Sequence, residues 1–172
     1  MKRYYGDYED VFFMRIASKI KRGVYRYIGK GSGRIVYDMG NGLVVKEAKN
    51  LKGFAQNMEE YWIALNDDSG LFARVYEVSD DYRFLIMDKA EQIRDISLVW
   101  DYFKVGSNTE LFQNLTLRSI ADKYNLLIGD LGRVVNWGKK DGRPVIIDYG
   151  FTRKVRRKYY SDKAGVRRCG YR

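Results

Sequence analysis

The sequence contains no histidine and a single cysteine, Cys169, in 172 residues. Without histidine there is no Ser-His or Cys-His nucleophile, and one cysteine can close neither an internal disulfide nor a zinc site. Any catalysis therefore falls to carboxylates, lysines, hydroxyls or a bound metal. No apolar run approaches the roughly 18 to 20 residues that cross a bilayer, and the opening MKRYYGDYED lacks the hydrophobic segment of a signal peptide. These absences predict a soluble, cytoplasmic protein without a membrane partner. No repeat, Pro-rich linker or low-complexity run divides the chain, so one domain over 1–172 is expected.

The 45% hydrophobic and 15% aromatic content suffices for one core. The net charge of +10 is placed unevenly: residues 153–172 hold nine basic side chains against the single acid Asp162. A tail of this kind attracts phosphate-rich or acidic partners, nucleic acid or protein, or simply stays solvated.

Residues 8–22 space Val11, Phe12, Phe13, Ile16 and Ile20 as an amphipathic helix, with 1–23 forming an N-terminal helical segment. Tyr25 to Ile28, Arg34 to Asp38 and Leu43 to Ala48 read as antiparallel strands, the last two joined at Gly40-Asn41-Gly42. A helix follows, with Phe54, Met58, Tyr61, Trp62 and Leu65 as its core stripe. Strands at Ala73 to Val78 and Arg83 to Asp88, helices near Ile96 to Lys104 and Thr109 to Tyr124, and a β-rich stretch from Leu126 to Asp148 complete the pattern. The expected fold class is α+β.

The chemistry concentrates at a few points. Gly29-Lys30-Gly31-Ser32-Gly33 forms a strand-to-strand turn whose backbone N–H groups can approach phosphate oxygens, although an ordinary hairpin reads the same way. Lys46 lies in an apolar strand and needs an anionic partner unless its amine reaches water. Gly53, Asn57, Glu60 and Ala64 line a small and polar flank of the next helix, so Glu60 is the expected partner, ahead of Glu59. Two apolar strands, Leu126 to Asp130 and Pro144 to Asp148, would each end in an aspartate, with Asn136 between them. Asp130, Asn136 and Asp148 can then gather round one point, where oxygen ligands suit Mg²⁺ and Asp130 can accept a proton. Asp and Asn are also common where strands simply end.

This ordered set resembles the protein-kinase-like superfamily, including its aminoglycoside-phosphotransferase branch and small kinase-like proteins of bacteriophages. The resemblance implies an antiparallel-sheet N-lobe with one key helix over 24–90, a small, mostly helical C-lobe with a β-hairpin over 91–152, and a basic tail over 153–172. It implies an ATP-Mg²⁺-dependent phosphotransferase in which Asp130, Lys46 and Glu60 are catalytic. Gly29, Gly31, Ser32, Gly33, Val36 and Lys46 would hold the phosphates and ribose side. Met87 would be the gatekeeper, Asp88 and Ala90 the hinge groups facing adenine, and Asn136 and Asp148 the Mg²⁺ ligands. The acceptor would be a protein hydroxyl, including Tyr159, Tyr160 or Ser161 of the chain itself, or a small molecule. Arg34 stands where the family has its third glycine, Ile128-Gly129 precedes Asp130 in place of His-Arg, and the Asp130-to-Asn136 spacing is one residue longer than usual. Those departures also fit a non-catalytic nucleotide-binding protein that engages a host protein through its basic tail.

Overall fold

The computed structural model describes residues 3–160. Ser161 and the rest of the basic tail, with Cys169 and Tyr171, lie outside the described residues. The chain opens with α1 (Arg3–Lys21), then builds a five-stranded antiparallel sheet of order β1-β2-β3-β5-β4 from β1 (Arg26–Lys30), β2 (Arg34–Asp38), β3 (Leu43–Ala48), β4 (Val75–Val78) and β5 (Phe84–Asp88). The β2–β3 turn places Gly40 and Gly42 at φ +82° and +79°, the left-handed region that glycine enters without steric cost. Helix α2 (Leu51–Asn66) crosses between β3 and β4, its first N–H groups capped by the Asn50 side chain.

Side-chain alternation sends the two faces of the sheet into different surroundings. Val45, Phe84 and Ile86 meet α1 through Phe13 and Ile16, with Tyr25 beside them. Val44, Leu85 and Met87 face the other way and join the larger core, which runs on to Leu117, Trp137 and Ile146. That core is completed by α3 (Ser97–Phe103), α4 (Asn108–Leu111), α5 (Leu115–Lys123), and a small sheet of β6 (Glu91–Gln92), β7 (Trp137–Lys140) and β8 (Arg143–Ile146) in the order β6-β7-β8. The last described element is α6 (Arg153–Tyr159), N-capped by the buried Thr152. The fold class is α+β, with an antiparallel-sheet lobe and a small lobe of short helices and a hairpin.

Several expectations need correction. Val11 and Phe12 of α1 are exposed, and only the Phe13, Ile16 and Ile20 side of the stripe meets the sheet. On α2, Trp62 and Leu65 are exposed, while Gly53, Gln56, Asn57, Glu60 and Ile63 are buried, because the helix packs on a polar cluster. The stretch from Thr109 to Tyr124 is two helices, since the Asn114 side chain caps a fresh start at Leu115. Leu126 to Gly132 is not a strand: Ile128–Gly132 and Val134–Asn136 are consecutive 3₁₀ turns, and only Leu126 makes a bridge, to Thr152.

Candidate functional site

A cavity of about 850 Å³ lies between the glycine turn, the connection after β5 and the segment from Leu126 to Tyr149. Gly29, Gly31, Ser32, Val36, Lys46, Met87, Asp88, Ala90, Asp130, Asn136 and Asp148 all line it. Gly33 and Glu60 do not. Gly33 turns away and packs on α2, where a Cβ would lie 2.7 Å from the Gly53 nitrogen. The glycine turn is thereby tied to the helix, with the Gly33 carbonyl accepting from Lys49 N–H and the Ser32 carbonyl from Asn50 Nδ2.

Glu60 is fully buried and organises the inner wall. Its carboxylate accepts from Lys46 Nζ at 2.8 Å on both oxygens, and from the backbone N–H groups of Tyr149 and Gly150 at 3.1 and 3.2 Å. Arg34 reaches the same carboxylate at 2.8 and 3.0 Å. Lys46 gives its remaining donor to the Ile147 carbonyl at 2.7 Å. Burial alone would push the Glu60 carboxyl up, but the charges of Arg34 and Lys46 outweigh it and hold the group at about 2. Burial pulls the Lys46 ammonium below its ordinary range, opposed by Glu60 and helped by Arg34. Burial also acts against the Arg34 guanidinium, yet Glu60 and Asp148 keep it firmly charged.

Asp130, Asn136 and Asp148 are gathered by backbone bonds. Asp130 sits in the first 3₁₀ turn, and Asn136 Nδ2 donates to its carbonyl at 2.8 Å, closing the longer Asp-to-Asn loop on itself. The Asn136 carbonyl in turn accepts from Ile147 N–H, next to Asp148. The Asp130 carboxylate is a quarter exposed, with Arg133 at 3.5 Å. At the other end, the Asp88 N–H is donated to Arg74 and its carboxylate accepts from Lys140 and Tyr76. Met87 is buried at the back.

Three contributors have a place in the site beyond the one expected from the sequence. Asn57 is fully buried: its amide donates to the Tyr82 carbonyl at 2.9 Å, and its oxygen accepts from Arg34. Tyr160 lines the cavity and places its hydroxyl 2.6 Å from Ser32 Oγ, with Lys52 Nζ 4.2 Å from its ring centroid. Arg34 is the third, buried at the start of β2, with Nη2 2.6 Å from Asp148 Oδ1. The polar flank of α2 signalled Asn57, and the replaced glycine signalled Arg34. The sequence offers Tyr160 as a self-acceptor hydroxyl, but no local pattern signalled its place at the glycine turn.

The arrangement around Asp148 does not fit the magnesium ion that the resemblance implies. Its Oδ1 is already paired with the Arg34 guanidinium, and a divalent ion on that oxygen would face the same positive charge at close range.

No protein-family model matches the chain, and no curated protein matches its sequence. Among solved structures, the streptomycin–ATP–APH(2")-IIa ternary complex is similar over 81% of this chain and 69% of its own, at 19% identity and a TM-score of 0.42. That neighbour is an aminoglycoside phosphotransferase of protein-kinase-like fold. A likeness at this level carries no argument about substrate, so the functional reading rests on the site itself. Among the described residues, no helix is long and apolar enough to cross a membrane.

Proposed function

We propose that the cleft binds a nucleoside triphosphate, ATP, and transfers its terminal phosphoryl group to a hydroxyl. The observation that carries this reading is the buried Lys46–Glu60 ion pair on one wall of the cavity that Asp130 lines on another. In this reading the adenine lies against Met87 and Val36, with the Asp88 carbonyl and Ala90 N–H as its polar partners. The glycine turn at Gly29, Gly31 and Ser32 orients the phosphates, and the Lys46 ammonium, whose three donors are held by Glu60 and Ile147, acts on them through its charge. The acceptor oxygen attacks the γ-phosphorus in line, the bond from that phosphorus to the β–γ bridging oxygen breaks, ADP leaves, and Asp130 takes the hydroxyl proton. Asn136 holds the Asp130 backbone in place.

A second hollow, of about 480 Å³, opens beside Asp130 between Ile128, Gly129, Phe151, Arg153 and Arg156. Two arginines there suit an acceptor carried on an anionic molecule or an acidic protein segment. Tyr160 gives a self-acceptor reading a described hydroxyl at the glycine turn. The nearby cations of α6, Arg153 to Lys158, would serve a protein or nucleic-acid partner equally well.

The Asp148–Arg34 pair also favours a second reading, a protein that holds ATP without transferring phosphate. One experiment separates the two: γ-labelled ATP is incubated with the full chain, with and without magnesium, while thermal stabilisation is followed in parallel. The proposed enzyme labels itself or an added protein, and Asp130→Asn lowers the rate by on the order of 10² or more. Stabilisation without label overturns the transferase and leaves the holder. Absence of both removes the nucleotide reading.

A further inference from the structure

The inner end of the cleft carries a cation built into the fold. Arg34 is 6% exposed and held from three directions: Asn57 at 3.2 Å, both Glu60 oxygens, and Asp148. Such a guanidinium is not a surface charge that swings aside. Its anchors lie on α2 and in the segment after β8, so displacing it exposes the buried Glu60 and Asn57 to a lost partner. It also stands where the resembled family has a glycine, beside the turn that would cradle the phosphates. The carboxylate that would have bound a divalent ion is the one it grips. Its Nη hydrogens are taken by Asn57, Glu60 and Asp148, so toward a phosphate it acts through its charge, with only the Nε–H left as a donor.

The remaining charges favour the same conclusion. Arg34 and Lys46 are balanced locally by Glu60 and Asp148, and at the cavity rim Arg133 faces Asp130 while Lys30 adds positive charge. A triphosphate entering there meets two buried cations held in place, Arg34 and Lys46.

We propose that Arg34 supplies, from within the sheet, the positive charge that a divalent ion would otherwise supply to the phosphates, so that this cleft holds ATP in the absence of divalent metal. The inference rests on the nucleotide reading above and concerns its metal requirement alone.

Calorimetric titration of ATP into the full chain, in EDTA and in excess magnesium, tests it. Wild type should bind in EDTA within about fivefold of its affinity in magnesium. Arg34→Gln should lose about tenfold or more in EDTA and recover much of it with magnesium, since Asp148 is then free. Because Arg34→Gln could fail to fold, Asp148→Asn gives an independent arm. It removes the carboxylate that offsets Arg34 while Glu60 and Asn57 still hold the guanidinium, so ATP should bind in EDTA several-fold more tightly than to wild type. Weaker binding by the folded variant overturns the inference, and circular dichroism checks both variants. Wild-type binding that appears only with magnesium overturns the inference and leaves the nucleotide reading intact. Undiminished binding of folded Arg34→Gln in EDTA also overturns it. No ATP binding under either condition removes both, and the two failures are thus distinct.

Discussion

Glu60 is where the chemistry of single residues decides most. Against the cost of burial, Arg34 and Lys46 hold its carboxyl at about 2, below the ordinary glutamate value of 4.5. The unfolded chain therefore takes up this proton first as the pH falls. Its stabilising contribution is complete above about 4.5 and drains away as the pH falls towards 2, an interval worth about 3 kcal/mol. Glu60→Gln should remove that pH dependence and, at neutral pH, leave Arg34 and Lys46 buried with too little negative charge, costing about 3 to 5 kcal/mol. Urea unfolding at pH 7 and at several points below 4.5 checks both statements; a mutant with wild-type midpoint and slope would show that Glu60 is not holding the pair. The Lys46–Glu60 pairing was legible because an ammonium in an apolar strand needs a carboxylate, and the helix offered one on its small, polar side. Arg34 was visible only as a departure from glycine. Its role depends on Asp148, more than a hundred residues further on, and no local spacing reveals that meeting.

Among the elements, the glycine turn and α2 are joined by a close approach of backbones. A Cβ on Gly53 would run into the carbonyl oxygen of Gly33, and one on Gly150 into the carbonyl of Gln56. Neither obstacle is the end of a flexible side chain. The glycine of Asp148-Tyr149-Gly150 is thus required by packing, because it brings the Tyr149 and Gly150 N–H groups onto Glu60. Gly53→Ala should cost about 1 to 3 kcal/mol by forcing α2 off the turn, and should weaken ATP binding because the same shift moves Glu60. Thermal melts with and without nucleotide measure the two effects, and a melt unchanged from wild type would refute the close approach. The β2–β3 hairpin was legible from Asn41-Gly42 alone. The stretch from Leu126 to Asp130 reads as a strand because a short apolar run has no period, and what bends it is remote: Asn136 drawing in the Asp130 carbonyl, and Trp137 donating to the Leu131 carbonyl at 2.8 Å.

Across the whole molecule, the sheet is backed on both faces, and the two backings do different work. One face forms the cleft and continues into the core shared with the small lobe. The other is covered by α1, where Phe13 stacks on Phe84 with ring centroids 6.1 Å apart and planes within 5° of parallel. Alternation along β3 and β5 connects them: Val45, Phe84 and Ile86 look to α1, while their neighbours Val44, Lys46, Leu85 and Met87 look to the cleft side. A loss on the α1 side therefore weakens the sheet that carries Lys46 without removing any group that faces the cavity. Phe13→Ala should lower stability by about 3 kcal/mol, yet leave the rise in melting temperature produced by saturating ATP close to that of wild type, since ligand stabilisation depends on the affinity of the folded state. If the nucleotide-induced rise disappears along with the stability, α1 is part of the binding machinery and the division of the sheet into a structural and a functional face is wrong.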